Sequence, residues 1–199
     1  MARQYEDSET RRTQVAEAAL RTIVEDGVSR FTTKAVAKRV GISDGTLFRH
    51  FGSKQEIVLE AVRMLDAKMA TGLVSTDDDL RDLETFFRHR AKFVGAHASV
   101  GRLVFSNALL HLGGDLTRKM IMGWRAKSVK YLLERLTCLQ NDETFRSDLE
   151  VSAMSMFVQG SLLTFAIQAS LGESTSGPSL EVRIDQAWAA ILLILKPPA

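Results

Sequence analysis

Cysteine and proline are scarce in this chain of 199 residues, which has one cysteine and three prolines. Since Cys138 has no second cysteine to pair with, an intrachain disulfide and a cysteine-based zinc site are both excluded. Thirteen glycines and three prolines are too few for a collagen-like or proline-rich chain. With 45% hydrophobic residues and a net charge of +2, the composition is that of a globular protein and excludes a disordered chain.

Motifs of common enzyme classes are missing as well. The sequence has no GxSxG, Walker, GxGxxG or HExxH pattern and no cluster of metal-ligating side chains. We therefore expect no catalytic residue, no metal and no cofactor. The opening residues, MARQYEDSETRR, contain no apolar run of signal-peptide length, so we expect a cytoplasmic protein.

One uncharged stretch has the length of a membrane span. Residues 151–172 hold no charged side chain over 22 positions, about the length that crosses a bilayer. Seven serine, threonine and glutamine residues interrupt the stretch, and neither a Lys/Arg cluster nor an aromatic belt brackets its ends. Because a helix that is apolar on most sides can be buried on two faces, we interpret it as protein core plus subunit interface, without membrane contact.

The positive charge is concentrated in one segment. Residues 1–27 carry four basic and six acidic side chains (−2), residues 28–54 carry six and one (+5), and residues 55–199 carry sixteen and seventeen (−1). A basic patch on a nearly neutral protein suggests that a polyanion binds there, since phosphate contacts supply most sequence-independent affinity for nucleic acid. On charge alone, a solvated basic surface is an equally good interpretation. The motif in the same segment decides between a polyanion-binding patch and such a surface.

Helical periodicity recurs along the chain, and no strand-like alternation is sustained. An apolar stripe closed by Gly27 predicts a first helix, and Thr33–Val40 and Asp44–Phe51 predict two short ones. Capping boxes at Ser53–Glu56 and Ser147–Glu150 predict two further helix starts. The sequence thus predicts an all-α fold of about nine helices, with later helices near 80–96, 99–111, 115–139, 148–171 and 180–195.

The two short helices form a helix-turn-helix pattern. Thr32 or Thr33 can cap the first of them, Gly41 suits its left-handed end, and Ser43 can cap the second. Such a pair leaves the second helix available for the major groove of DNA.

The exposed face of the second helix offers groups for both bases and phosphates. Phe48 can pack against a thymine methyl, Arg49 can bind guanine or a phosphate, and His50 can donate to a phosphate. Lys54 lies at the start of the next helix, where backbone amides also favour phosphate.

This segment, from Thr33 through GISDGTLFRHFGSKQE, resembles the DNA-binding signature of the tetracycline-repressor (TetR) family, and the match covers about residues 11–65. The resemblance implies a three-helix DNA-binding domain over 1–54 and a helical ligand-sensing and dimerisation domain over 55–199. The DNA contacts that it implies fall on Thr33, Ser43, Asp44, Gly45, Thr46, Phe48, Arg49, His50 and Lys54.

Two of these positions depart from the family pattern. Phe48 stands where tyrosine is more typical, so a phenolic hydrogen bond to phosphate is lost. Asp44 is acidic where a DNA contact is expected, and it either accepts from cytosine or caps the helix.

The resemblance also implies a homodimer that binds a palindromic operator and releases it when a small, largely apolar effector binds. An aromatic and methionine lining suits such an effector, although each of these side chains is equally at home in a protein core. The lining that we expect is Phe93, Phe105, Met120, Trp124 and Phe157, and candidates for a polar head group are Arg90, Arg102, His97 and His111. The dimer interface that we expect is Phe157, Leu162, Phe165, Ile184, Trp188, Ile191 and Leu192, unless the last two helices are interior helices of a monomer.

A second class of function stays open at this point. A DNA-binding regulator or architectural protein without a small-molecule inducer, controlled by a protein partner or by oxidation of Cys138, would carry the same helix-turn-helix. The choice between repressor and activator depends on operator position, which lies outside the protein.

We predict that Lys54→Ala weakens binding by a similar factor on every DNA sequence, because Lys54 is expected to contact a phosphate. The slope of log affinity against log salt should fall by about one unit, the value for one lost phosphate contact. Fluorescence anisotropy on operator and scrambled DNA at several salt concentrations measures both quantities. An unchanged slope would remove Lys54 from the phosphate contacts.

Overall fold

The computed structural model describes residues 2–96, 112–171 and 177–198, which form eight α-helices and no β-strand. The all-α prediction is confirmed, and the helix predicted near 99–111 lies outside the described residues. The helices are α1 Ala2–Arg21, α2 Thr33–Val40, α3 Asp44–His50, α4 Lys54–Ala70, α5 Asp79–Ala96, α6 Gly114–Asn141, α7 Val151–Leu171 and α8 Leu180–Leu195.

The chain divides into two compact units. The first contains the described residues up to Lys68 together with those from 112 to Trp124. The second contains the residues from Met69 to 96 and the described residues from Arg125 onward. The whole helix-turn-helix segment therefore lies in the first unit.

The first unit is built on the helix-turn-helix and on α1, which packs against both α2 and α3. The stripe predicted for the first helix is buried, and α1 runs on into a single π-helical turn before the chain reverses at Gly27, where φ is +87°. Ala37, Leu47 and Phe51 are buried in the core that these helices share. Val40 and Ile42, on either side of Gly41, are half-buried.

The second unit has its own hydrophobic core, in which α5 packs on α7 and α8. The Phe87 ring stacks on Trp188 at 5.6 Å between centroids and meets the edge of Phe165 at 6.3 Å. Since α5 places its apolar stripe between the two C-terminal helices, these three helices form one packed layer around shared aromatic side chains.

A buried carboxylate ties the start of α5 to the preceding loop and to α6. Asp82, only 1% exposed, accepts hydrogen bonds from the Thr76 amide and hydroxyl, both at 2.8 Å, and from Arg135 at 3.2 Å. Arg135 also pairs with Asp79 at 2.7 Å, and the Tyr131 hydroxyl donates to the Val74 carbonyl at 2.5 Å. Burial raises the pKa of Tyr131 to about 12, so that the phenol keeps this donor proton.

The capping box predicted at Ser147–Glu150 is wrong, because α7 begins only at Val151. Arg146 forks onto the Asp148 carboxylate with two hydrogen bonds of 2.6 Å, and Phe145 beside it is buried. This pairing holds residues 146–148 in a turn, so the helix starts three residues later than the sequence pattern suggested.

Among the described helices, α7 is long and apolar enough to span a membrane by length and composition. About a third (33%) of its most apolar stretch is buried inside the protein. Its buried side includes Met154, Val158 and Leu162, which belong to the core of the second unit. Helix α7 therefore has one side in the core of the second unit and further apolar residues on its other side.

We predict that Asp82→Ala lowers the free energy of unfolding by about 1–3 kcal/mol, because it removes the acceptor of the Thr76 amide and hydroxyl and one of the two carboxylates that pair with Arg135. Asp185→Ala is the matched control, since its exposed pair with Arg88 should contribute no more than about 1 kcal/mol. Urea denaturation at pH 7 measures both variants, and equal losses would contradict this role of Asp82.

The pH dependence of stability gives a second readout. Burial alone would raise the pKa of Asp82, but the Thr76 hydrogen bonds and the Arg135 charge outweigh it and lower that pKa. A lowered native pKa stabilises the fold above the unfolded value of about 3.9 and ceases to do so as pH falls through the native value. We therefore expect the stability of the wild type to fall more steeply below about pH 4 than that of Asp82→Ala.

Candidate nucleic-acid interface

Helix α3 is fixed at its N-terminus by the predicted turn and cap. Gly41 adopts the left-handed conformation (φ +77°, ψ +31°) that ends α2, and the Ser43 hydroxyl accepts a hydrogen bond from the Thr46 amide at 3.1 Å. Thr32, not Thr33, caps α2 by accepting from the Ala35 amide at 3.1 Å. The turn therefore has the geometry of a helix-turn-helix, with the first amides of α3 satisfied by a side chain.

The predicted DNA-contacting groups of α3 lie on its accessible surface. Asp44, Gly45, Phe48 and Arg49 are exposed, with 47% of Phe48 accessible, whereas Leu47 is fully buried. This alternation separates a core side from an outer side that carries a carboxylate, an aromatic ring and a guanidinium. Such a surface can place both polar and apolar groups against base edges and sugars.

Several of these groups are already held by local contacts. The Thr46 hydroxyl lies 3.0 Å from the Ser43 hydroxyl and accepts from Arg49 at 3.3 Å. Lys54 is exposed at the first position of α4, and its Nζ lies 5.0 Å from the centre of the Phe31 ring. Cation–π attraction limits the positions that this ammonium group samples. The ammonium is therefore partly oriented before any phosphate is bound.

Part of the positive charge of the basic segment, residues 28–54, is offset by carboxylates that precede it in the chain. Arg39 is paired with Glu25 and, at 3.1 Å, with Asp26, both from the turn that follows α1. The hydrogen bond to Glu25 raises the pKa of Arg39. The two carboxylates together outweigh the single positive charge of Arg39. The other cations of the basic segment are also exposed, and they are Arg30, Lys34, Lys38, Arg49 and Lys54.

Arg12, which our sequence reasoning missed, holds the other end of α3. Its guanidinium donates to the His50 carbonyl and, at 2.9 Å, to the Glu56 carboxylate, and it lies 4.3 Å from the centre of the Phe51 ring. One side chain of α1 thus contacts the last residue of α3, the residue that follows it and the first turn of α4. No local pattern marks Arg12, because its partners are 38 to 44 residues away.

The carboxylate of Glu56 completes this junction. The Ser53 hydroxyl accepts from the Glu56 amide at 3.1 Å, as a capping box predicts, but the Glu56 side chain accepts from the Gly52 amide at 2.7 Å. The hydrogen bond from Arg12, followed by that from Gly52, lowers the pKa of Glu56. Glu56 therefore stays ionised at neutral pH and keeps both donors.

Residues 15–61 match the family of bacterial regulatory proteins called the tetR family. The match covers the helix-turn-helix and parts of the helices on either side of it. An uncharacterised HTH-type transcriptional regulator of Mycobacterium tuberculosis, Rv1556, is 31% identical over 130 residues, which are 63% of this chain and 62% of that protein. The fatty acid metabolism regulator protein of Bacillus subtilis is 25% identical over 44% of this chain. The chain thus spans less than two thirds of these curated relatives, 43% in the second case.

Solved structures with the same fold cover nearly the whole chain. The ketosteroid transcriptional regulator KstR2 of Mycobacterium tuberculosis is similar with a TM-score of 0.76 and 21% identity, over 94% of this chain and 96% of that one. AibR in complex with isovaleryl coenzyme A and operator DNA has a TM-score of 0.71 and 17% identity, over 95% and 100%. FadR from Bacillus subtilis in complex with stearoyl-CoA has a TM-score of 0.66 and 16% identity, over 90% of this chain and 97% of that one. At these identities the likeness shows the fold alone.

Of the nine DNA contacts that the tetR resemblance implies, seven lie on or beside α3, from Ser43 to His50, and Lys54 begins α4. Thr33 is half-buried at the first position of α2, and His50 is half-buried with its Nδ1 3.4 Å from the Ser8 hydroxyl. Asp44 was expected either to accept from cytosine or to cap α3, and the structure shows that Ser43 is the cap. Asp44 lies exposed in the first helical turn, where the helix dipole favours its charge.

The residues predicted to line an effector pocket are distributed over both units. Met120 is half-buried and Trp124 buried in the first unit, whereas Phe93, half-buried, and Phe157, 46% exposed, belong to the second. Phe105 lies outside the described residues, as do His97, Arg102 and His111. This lining stays a prediction.

Five of the residues expected in the dimer interface lie in the core of their own protomer. They are Leu162, Phe165, Ile184, Trp188 and Ile191, all buried, and Leu192 packs against the same core. Phe157 alone of the seven has an exposed side chain. The apolar stripe of α8 faces the core of the second unit. The interface expected from the sequence stays a prediction.

We predict that Arg12→Gln weakens operator binding by about tenfold or more, because hydrogen bonds from a charged donor contribute about 1.5–3 kcal/mol and hold the end of α3 here. Arg11→Gln is the matched control, since Arg11 is a neighbouring arginine that bonds only to Gln14 among the contacts described for it. Anisotropy titrations of both variants measure the effect. Equal affinities for the two variants would show that Arg12 does not position α3.

Proposed function

We propose that this chain is a ligand-responsive transcriptional regulator, a repressor that binds a palindromic operator as a homodimer and is released by a small, largely apolar effector. Residues 1–54 bind the DNA in this proposal. The observation that carries it is the outer face of α3, where Phe48 and Arg49 are exposed between two fixed helix ends. A surface of this kind on a seven-residue helix suits insertion into the major groove.

An exposed apolar face on the two C-terminal helices supports the homodimer. On α7, Met156 (72% exposed), Leu163, Ile167 and Leu171 follow one another at spacings of seven, four and four residues and so share one face. On α8, Leu193 is 84% exposed. Large exposed apolar patches mark interaction sites. A second copy of the same face is the simplest cover, because one recognition helix supplies too few contacts and twofold symmetry doubles them.

The similar structures support an effector with an apolar body. AibR is described with isovaleryl coenzyme A and FadR with stearoyl-CoA, both acyl thioesters. The residues of this chain that fit such a molecule are the aromatic and methionine side chains predicted above, which include Met120 and Trp124. We therefore place the effector among carbonyl compounds with an apolar chain.

The alternative of control by Cys138 oxidation has less support. The thiol is exposed, but desolvation, a hydrogen bond to Asp79 and that residue's charge all raise its pKa. A raised pKa lowers the thiolate fraction, on which oxidation depends. Control by a protein partner would use the same exposed helix faces, and release of the DNA by a small molecule alone would contradict it.

Specific DNA binding tests the proposal. Labelled DNA from upstream of the protein's own coding region is titrated with purified full-length chain, with scrambled DNA as competitor. We expect binding that survives excess competitor, at two protomers per site, and a strong decrease in affinity with salt. Binding that scrambled DNA competes away equally would contradict a sequence-specific regulator.

We predict that Phe157→Glu and Met156→Glu together convert the dimer into a monomer, because they place two charges in the proposed apolar interface. Val129→Glu is the control, since Val129 is an exposed apolar residue on α6. Light scattering after gel filtration gives the mass, which should change from twice 22.1 kDa to 22.1 kDa only for the double variant. A dimer that persists would contradict this face as the interface.

A further inference from the structure

Asp44 is the only acidic side chain among residues 28–54, the segment that carries the excess positive charge. It is exposed at the first position of α3. Because the Ser43 hydroxyl caps the helix, Asp44 is not needed to satisfy the first amides of α3. Its carboxylate makes no hydrogen bond or ion pair with any residue that the structure describes. The carboxylate is therefore available to whatever binds α3.

Other carboxylates close to the helix-turn-helix are already paired. Glu25 and Asp26 pair with Arg39, and Glu56 pairs with Arg12. The carboxylate of α3 has no such cation beside it. When a carboxylate approaches DNA, the phosphates repel it and it loses water, so an uncompensated one lowers the affinity for every sequence. A carboxylate in this place therefore needs a hydrogen-bond donor that the DNA itself supplies.

Asp44 and Phe48 lie on the same side of α3, because they are four residues apart in a helix. Phe48 is 47% exposed and Leu47 beside it is fully buried, so the phenyl ring points away from the core. Neither a carboxylate nor a phenyl ring binds a phosphate. Both can meet base edges, the carboxylate at an amino group and the ring at a thymine methyl. This side of α3 therefore suits the major groove, where a helix-turn-helix places its second helix.

The chemistry of the base edges limits the partners of a carboxylate. An ionised carboxylate only accepts hydrogen bonds. In the major groove the donors are the N4 amino group of cytosine and the N6 amino group of adenine, whereas guanine and thymine present acceptors there. Asp44 is thus compensated at cytosine or adenine and repelled at guanine or thymine.

Cytosine fits a carboxylate better than adenine does. The adenine amino group lies between two acceptors, its own N7 and the O4 of the paired thymine. The cytosine amino group has an acceptor on one side only, the O6 of the paired guanine, and a C–H group on the other. The second oxygen of a carboxylate is therefore repelled on both sides of the adenine amino group but on one side of the cytosine amino group.

We propose that Asp44 is a specificity-determining residue, whose carboxylate accepts a hydrogen bond from the N4 amino group of one cytosine in each half of the operator. This assignment rests on the proposed function, since it names the base that the DNA-binding site selects. The same carboxylate lowers the affinity for DNA that lacks cytosine at this position, so it acts against wrong sequences as well as for the right one.

The test is a selection of random-sequence duplex DNA by the full-length protein, followed by sequencing of the bound duplexes. For the wild type we expect an enriched palindromic motif with cytosine at one fixed position of each half. For Asp44→Asn we expect adenine at that position, because asparagine binds the N6 and N7 atoms of adenine with two hydrogen bonds. The other positions of the motif should stay the same.

Asp115→Asn is the matched control, since Asp115 is an exposed carboxylate in the first turn of another helix, α6. It loses the same charge outside α3, and its motif should equal that of the wild type. Anisotropy on two duplexes that differ only at the assigned base pair gives the magnitude. We expect the wild type to bind the cytosine duplex about tenfold more tightly than the adenine duplex, and Asp44→Asn to reverse this order.

The outcomes separate this assignment from the proposed function. If Asp44→Asn enriches the wild-type motif unchanged, or melts like the wild type but enriches no motif, the assignment is overturned and the sequence-specific regulator stands. If Asp115→Asn changes the motif in the same way as Asp44→Asn, the assignment is overturned as well. If the wild type enriches no motif, the proposed function fails together with the assignment.

Discussion

Helix α3, the second helix of the helix-turn-helix, has only seven residues, and a helix of this length is not stable by itself in water. Its position therefore has to be fixed by groups outside it. Ser43 closes its N-terminus, Leu47 anchors its inner side in the core, and Arg12 of α1 holds its last carbonyl. The direction in which Phe48 and Arg49 point, and the distance from them to Lys54, all depend on these three attachments.

Local interactions of the helix-turn-helix were predictable from sequence, and distant ones were not. The caps at Thr32 and Ser43 and the turn at Gly41 each involve residues within four positions of one another, so a short pattern reveals them. The Arg12 contacts join residues about 40 positions apart, and no periodicity marks them. A short pattern can also mislead. The capping box predicted at Ser147 does not form, because Arg146 instead pairs with Asp148 in the same segment.

Periodicity also revealed which helices of the second unit are apolar, but not what covers each side. The ideal stripe of α8, with Ile184, Trp188 and Ile191, faces the core, and the residues between these positions are more exposed. On α7 both sides are apolar, so the sequence could not assign one to the core and the other to an interface. Similarly, the sequence marks Trp124 as an apolar residue, whereas only the structure shows that its indole N–H has no partner among the described residues.

In the proposed function, two copies of this chain present two α3 helices to the two halves of one operator. Hydroxyl-radical footprinting of the bound upstream DNA tests this arrangement directly, because the cleavage pattern records where each helix enters a groove. We expect two protected regions related by twofold symmetry, with centres about one helical turn apart, or ~34–36 Å, or a multiple of that. A single protected region, or protection without symmetry, would contradict it.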